Sequence, residues 1–250
     1  MPATVAGEPI DVVIGPNGEL KVNPLSQPKI PPGATWVPVR IVDRHPQWQA
    51  FRNQVLAYAA VRAGKAVYAP LMHPDLQDIP CWFGHDRLDA VIAHLAPGGR
   101  TVLDLGAHWG YACERLERAG WQCTAVESDA GAFRFMTMLR RAQRLSYSAV
   151  LTDVFDYVQK HPQADTVLAL ALFHHFLKTR GGCEALDKLL SQLQTNEIFL
   201  MTHDPHEPQM VDAYYNPEPE AFAELVSTNS GLSRYEQIGV FGGRPLFRIS

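Results

Sequence analysis

The most regular hydrophobic patterning in this chain begins at Asp86. Leu88, Val91, Ile92 and Leu95 fall on one helical face, and the run stops at Ala96-Pro97-Gly98-Gly99, a combination that ends helices. A short apolar strand follows, with Thr101, Val102, Leu103 and Leu105 around Asp104. From there the periods alternate. Helices are expected over about 111–119, 130–144, 183–193 and 218–227, and strands over 122–126, 148–151, 166–172, 198–201 and 235–240. After the glycine turn Val240-Phe241-Gly242-Gly243-Arg244, residues 245–249 return as an antiparallel partner strand. This alternation predicts an α/β fold: a doubly wound, mostly parallel seven-stranded sheet with an antiparallel C-terminal strand.

Residues 1–85 have a different texture and are expected to form an N-terminal extension to a core spanning 86–250. The extension is proline-rich. It holds a hairpin around IGPNGELKV, turned by Pro16-Asn17-Gly18, and a helix starting at His45-Pro46 that carries Trp48, Phe51, Val55, Leu56 and Ala59 on one side. The next stretch, YAPLMHPDLQDIPCWFGHDR, lacks helical or strand period and reads as an ordered loop.

Composition narrows the function classes. At 250 residues, 46% apolar and 19% charged, the chain suits one folded α/β domain with an appendage. Net charge is −4. The densest basic run, Leu139-Arg140-Arg141 with Arg144, reads as a solvated helix face, so no nucleic-acid partner is indicated. No apolar run is long enough for a membrane span, and MPATVAGEPIDVV lacks the layout of a secretory signal, so a cytoplasmic location is expected. The four cysteines are dispersed without CxxC spacing, which points to reduced thiols and no metal site. Oligomeric state is left open.

The candidate chemistry centres on TVLDLGAHWGY. A buried strand runs into a turn bracketed by Gly106 and Gly110, spaced DxGxxxG, and the turn opens a helix. Glycine lets backbone approach a ligand closely, and a helix N-terminus presents unpaired N–H groups to a polar or anionic group. Glu127, about twenty residues on at the end of the next strand, is placed to accept hydrogen bonds from the hydroxyls of an adenosine ribose. Asp153, at the end of the third strand, either binds an adenine amino group or caps the helix that starts at Val154.

With these residues the chain resembles the class I S-adenosylmethionine-dependent methyltransferases. Asp104, Gly106 and Gly110 match the first motif, Glu127 the second, Asp153 the third and VLALALFHHFL the fourth. The resemblance runs from about Asp86 to the closing antiparallel hairpin, a feature that nicotinamide-binding folds usually lack. It implies S-adenosylmethionine as cofactor, held by Asp104, Gly106, Ala107, His108, Gly110, Glu127, Asp153 and Phe173, with Asp104 toward the methionine end. One departure is visible, since the family often has a glycine where His108 stands.

Methyl transfer requires an aligned acceptor lone pair and, for a protonated nucleophile, a base. His174 and His175 follow the fourth strand at the carboxyl rim and are the candidate catalytic residues. FHHFL and the IGVFGGRPLFRI hairpin also look like the methyltransferase domains that cap bacterial polysaccharides. That looser resemblance implies a small-molecule or saccharide acceptor, methylated on a hydroxyl or phosphate oxygen.

Two further clusters stand out. MTHDPHEPQ reads as a polar loop along the substrate cleft, continued by Tyr214, Tyr215 and Asn216, in preference to a metal site. His73, Trp82, Phe83, His85 and Asp86 form either a lid or core packing, with Arg87 pairing with Asp86 or capping the helix. The rival readings are a catalytically silent S-adenosylmethionine-binding protein and a nicotinamide-dependent oxidoreductase, the latter disfavoured by the missing GxGxxG.

Overall fold

In the computed structural model the described residues are 3–5, 8–14, 20–24, 46–61, 63–96 and 100–250. The chain divides into two compact units, Met1–Val67 with Pro74–Pro80, and Tyr68–His73 with Cys81–Ser250.

In the first unit, β1 (Ala3–Val5), β2 (Glu8–Ile14) and β3 (Leu20–Pro24) form an antiparallel sheet in chain order. Ile14 pairs with Leu20, which makes β2 and β3 the expected hairpin. Its turn, with Pro16, Asn17 and Gly18, lies outside the described residues. Helix α1 (Pro46–Ala60) begins on a proline, whose missing N–H is no loss at a first helical position. Phe51, Val55 and Ala59 on it are buried, whereas Leu56 is exposed.

The second unit starts with α2 (Asp86–His94), which has Asp86 and Asp89 in its first turn and His94 in its last, complementing the helix dipole. Then follow β4 (Thr101–Leu105), α3 (Tyr111–Arg118), β5 (Gln122–Glu127), α4 (Ala130–Ala142), β6 (Ser148–Leu151), α5 (Val154–Lys160) and β7 (Thr166–Leu170). The chain finishes through α6 (Arg180–Gln192), β8 (Glu197–Met201), α7 (Pro219–Ser230), β9 (Tyr235–Phe241) and β10 (Arg244–Ile249). The seven strands are ordered β6-β5-β4-β7-β8-β10-β9, with β10 antiparallel to both neighbours. This is the expected mostly parallel sheet with its antiparallel final strand.

Period-2 alternation assigns each strand's residues to one of two cores. Leu103, Leu105, Ile198 and Leu200 pack with Leu186, Leu190, Phe222 and Val226 from α6 and α7. Val102, Phe199 and Met201 pack with Leu88, Val91, Leu116 and Met136 from α2, α3 and α4. One buried ionic post braces the sheet. Glu197 accepts from Thr166 Oγ1 at 2.8 Å and from the Ala96 N–H at 3.1 Å, and pairs with Arg248 Nε at 2.9 Å. Among the described residues, no helix is long and apolar enough to cross a membrane.

Several element ends differ from the pattern reading by one to three residues, as where α4 stops at Ala142 and α7 runs on to Ser230, and two of the shifts have a clear local cause. β7 stops at Leu170 because Ala171 turns into the left-handed region at φ 61°, after which Phe173–Lys178 coils as a 3-10 helix. α6 begins at Arg180, where Thr179 accepts from the Gly182 N–H at 3.1 Å and caps a first turn that holds two glycines.

Strand order steps outward from β4 to β5 and β6, then crosses back to β7 and β8. The carboxyl ends of β4 and β7 therefore flank a topological switch point, where open α/β sheets form their ligand crevice.

Candidate functional site at the carboxyl rim of the sheet

The glycine turn after β4 is pinned to β5, since the N–H groups of Gly106 and Ala107 both donate to the Val126 carbonyl, at 2.9 and 3.0 Å. Gly106 has φ 72°, and a Cβ there would sit 3.0 Å from Leu172 Cδ1. Gly110 has φ 79° and caps α3, but a Cβ on it would strike the Tyr147 hydroxyl and Met136. Its lack of a side chain therefore serves packing beneath the turn, away from the crevice. His108 occupies the left-handed region at φ 52°, a conformation costing a non-glycine residue roughly 1–2 kcal/mol.

Glu127 offsets that strain. Its Oε2 accepts from the His108 N–H at 2.7 Å and its Oε1 from the Asp129 N–H at 2.8 Å. The nearly buried carboxylate thus ties the turn to the start of α4, and its remaining lone pairs are available to ligand hydroxyls. Asp153 does cap α5, accepting from the Phe155 N–H at 2.8 Å, while it also lines the crevice.

The main cleft is open to solvent and has a cavity volume of about 400 Å³. One wall carries Gly106, His108, Glu127 and Asp153, the other His174, His175, Gln209 and Arg244. Tyr68 and Trp82 of the ordered loop line it too. A much smaller compartment, with a cavity volume of about 40 Å³, adjoins it, lined by residues 68–72 with Arg87, Asp104, Ala107 and Tyr111. The two share Tyr68, Gly106, His108 and Leu170. Phe173 stands apart from both, fully buried in the core, and Leu172 and Phe176 line the cleft beside it.

Asp104 is buried, and desolvation pushes its carboxyl up to about 7 despite the Cys113 thiol, which donates to Oδ2 at 3.7 Å, and the charge of Arg87. Between pH 4 and 7 the folded chain holds a proton here that the unfolded chain has released. Stability must therefore fall as pH rises through that window and stay reduced above it, by about 4 kcal/mol if Asp104 acts alone. Asp104→Asn is expected to flatten this decline and raise Tm at pH 8, measured by thermal melts across pH. An unchanged slope would show that the buried carboxyl is not the cause.

His174 is almost fully buried, and neither ring nitrogen has a hydrogen-bond partner. Its ring centroid lies 4.1 Å from that of His175 and 5.6 Å from that of His203. Burial, aided by His175 and Arg244, drives the His174 pKa down to about 2. His175 is more open and is shifted down too, first by burial and then by Lys178 and Arg244. His203 is wholly buried, with Nε2 at 2.9 Å from Asn216 Oδ1, and the Asn216 amide donates to the Pro205 carbonyl at 2.9 Å. This fixes the His203 proton on Nε2 and leaves Nδ1 as a bare acceptor. Glu207 grips Arg244 through two 2.7 Å bonds, which anchors the guanidinium at the cleft wall.

The loop 201–209 spends its polar groups on such contacts. No cluster of three or more His, Cys, Asp or Glu suited to a metal occurs among the described residues. Gln209 lines the cleft, as expected of the 201–209 loop, whereas Arg244 is a cleft residue that the pattern does not single out, its direct signal being its position just after the hairpin's glycine pair. The sequence reading set Arg87 beside Asp86. In the structure only the Arg87 backbone N–H meets Asp86, at 2.9 Å, while the side chain turns inward.

No family model matches the chain, and no curated protein sequence matches it. Solved structures do. The bifunctional kinase-methyltransferase WbdD superposes with a TM-score of 0.63 at 19% identity, over 80% of this chain and 46% of that one. The chain thus spans just under half the length of WbdD. The methyltransferase domain of bacterial CtHen1-CN matches at 0.52 and 19% identity, over 66% of this chain and 98% of that domain. The PH0226 protein of Pyrococcus horikoshii OT3 matches at 0.51 and 14% identity, over 66% of this chain and 88% of its own. The fold is that of the class I methyltransferases.

Proposed function

We propose that this chain is an S-adenosylmethionine-dependent methyltransferase acting on an oxygen of a small molecule or saccharide. The observation that carries the reading is the Glu127 carboxylate clamped under a glycine turn at the switch point of a methyltransferase-type sheet. The residues fit the cofactor. Glu127 would take the ribose hydroxyls, Asp153 the adenine edge, the backbone at Gly106, Ala107 and His108 would lie along it, and Asp104 would face the methionine end. When bound, the cofactor supplies an electrophilic methyl group on a sulfonium.

The protein's own work is then alignment and proton handling. Tyr68 and Trp82, on the loop beside the cleft, narrow access for water. His174 stays neutral over the whole working pH range and offers a lone pair that orients an acceptor hydroxyl. His175 retains more proton affinity and is the better placed to carry the proton to solvent. The sheet's antiparallel β10 and the absence of a GxGxxG turn weigh against a nicotinamide oxidoreductase. A silent binding protein remains the alternative that turnover must decide.

Calorimetry separates these readings. S-adenosylhomocysteine should bind and NADH should not; the reverse result sinks the proposal. Release of S-adenosylhomocysteine in a screen of sugars and small alcohols would then establish catalysis, while binding without release from any acceptor favours the silent protein.

A further inference from the structure

Three buried imidazole nitrogens lack a hydrogen-bond partner among the described residues: both nitrogens of His174 and Nδ1 of His203. Both rings stay neutral, since burial shifts each of them down, His174 to about 2. A neutral imidazole has one donor nitrogen and one acceptor. On His203 the donor is already committed. The Pro205 carbonyl can only accept, so Asn216 must turn its amide N–H toward it and its Oδ1 toward His203, where it takes the Nε2 proton at 2.9 Å. One acceptor is left over on His203, and one donor and one acceptor on His174.

The spacing of the rings matches the spare donor to a spare acceptor. His175 cannot take the His174 N–H, because their centroids are 4.1 Å apart at 37° between planes, a contact of faces. A linear N–H···N bond of about 3 Å between two imidazoles instead holds their centroids about 5 Å apart. His203 stands at 5.6 Å, with 31° between the planes. A shift of about half an ångström with a turn of the His174 ring therefore joins donor to acceptor. His174 lines the cleft, whereas His203 is wholly buried and does not reach it.

Building on the methyl-transfer reading above, we propose that His203 is a positioning residue: it accepts the His174 N–H at Nδ1, fixes the His174 tautomer, and leaves the other His174 nitrogen as an acceptor for the hydroxyl to be methylated. The direction of every bond in this chain is set at its far end by the Pro205 carbonyl. A hydroxyl that donates to His174 keeps its oxygen lone pairs for the methyl carbon. The opposite tautomer would aim an N–H at the same oxygen and occupy one of those pairs.

The test is nitrogen NMR of the protein carrying isotope-labelled histidine, with the His174 signals assigned by their loss in His174→Ala. At neutral pH wild type should show His174 as a single tautomer, one nitrogen protonated and the other bare. His203→Leu should replace these signals by ones averaged between the two tautomers. Asn216→Leu, at an exposed position, should do the same by releasing the His203 proton to either nitrogen. Averaged His174 signals in wild type overturn the proposal, even if His203→Leu fails to fold. So does a single tautomer that survives unchanged in His203→Leu or, should that variant not fold, in Asn216→Leu. Kinetics with an acceptor found by S-adenosylhomocysteine release tests the positioning itself. His203→Leu should raise KM for that acceptor about tenfold, the worth of one misdirected hydrogen bond. It should leave S-adenosylhomocysteine affinity alone and add nothing in a His174→Ala background. Losses that add overturn the relay. If wild type turns over no acceptor, the methyl-transfer reading falls and the hydroxyl's place with it, a result distinct from the tautomer measurement, which needs no acceptor.

Discussion

Glu127→Ala is expected to weaken S-adenosylhomocysteine binding by a hundredfold or more, the largest binding defect of any single substitution in the cleft. The variant removes the ribose acceptor and also strands the N–H groups of His108 and Asp129, both of which the carboxylate now holds. A hydrogen bond to a charged group contributes about 1.5–3 kcal/mol, and the strained His108 backbone loses its tether as well. Glu127→Gln sharpens the measurement. An amide has one oxygen and one NH2, so it can satisfy one of the two N–H groups and must turn a donor toward the other. It should fall between wild type and alanine in both affinity and Tm. If Glu127→Ala keeps affinity within threefold, the carboxylate is only a brace for the turn and the ribose assignment fails.

Replacing both His174 and His175 by alanine should lower turnover by about 10²–10⁴-fold, the range that positioned acid–base groups contribute, with S-adenosylhomocysteine affinity unchanged. The single variants should be unequal. His175 carries the smaller downward shift and the greater exposure, so its loss should cost more of the rate, whereas His174→Ala should chiefly raise KM for the acceptor. A base acts unprotonated, and the His175 pKa lies below its ordinary 6.5 because of burial, Lys178 and Arg244. The acid limb of kcat at saturating cofactor should therefore lie below pH 6.5 and vanish in His175→Ala. A limb that persists unchanged would assign the proton to another group.

Much of the sheet could be read from the chain because its central strands β4, β7 and β8 are buried on both faces and appear as largely apolar runs, whereas the edge strands β6 and β9 stay partly exposed. The glycine pair before Arg244 likewise announced the antiparallel return. What escaped notice depended on tertiary contacts. Gly181 and Gly182 look like helix breakers, yet they lie inside α6, because Thr179 caps the first turn and Gly182 has no room for a Cβ against the Phe176 carbonyl. β7 looks two residues longer than it is, since nothing in LALALF signals the left-handed Ala171.

The candidate site divides the same way. Glu127 and Asp104 were visible because strand ends deliver side chains to the rim in a fixed register. Phe173 was indistinguishable in sequence from its neighbours Leu172 and Phe176, and only the 3-10 coil turns it into the core. The inward turn of Arg87 was invisible for a related reason. A long charged side chain at a helix start ordinarily reads as solvated, and only the rings of Phe83 and Tyr68 from the preceding loop make a buried place for it.

The position of β10 between β8 and β9 sets an order of events as the chain is made. β9 leaves the ribosome first, yet the edge of β8 is taken by β10, so β9 has no place in the sheet until its successor has been synthesised. Arg244, the first residue of β10, is delivered to the cleft wall by the same docking step. A nascent chain lacking β10 would carry the glycine turn and Glu127 but an unfinished opposite wall. The half of the cleft assigned to the cofactor can therefore assemble during synthesis, before the half assigned to the acceptor is complete.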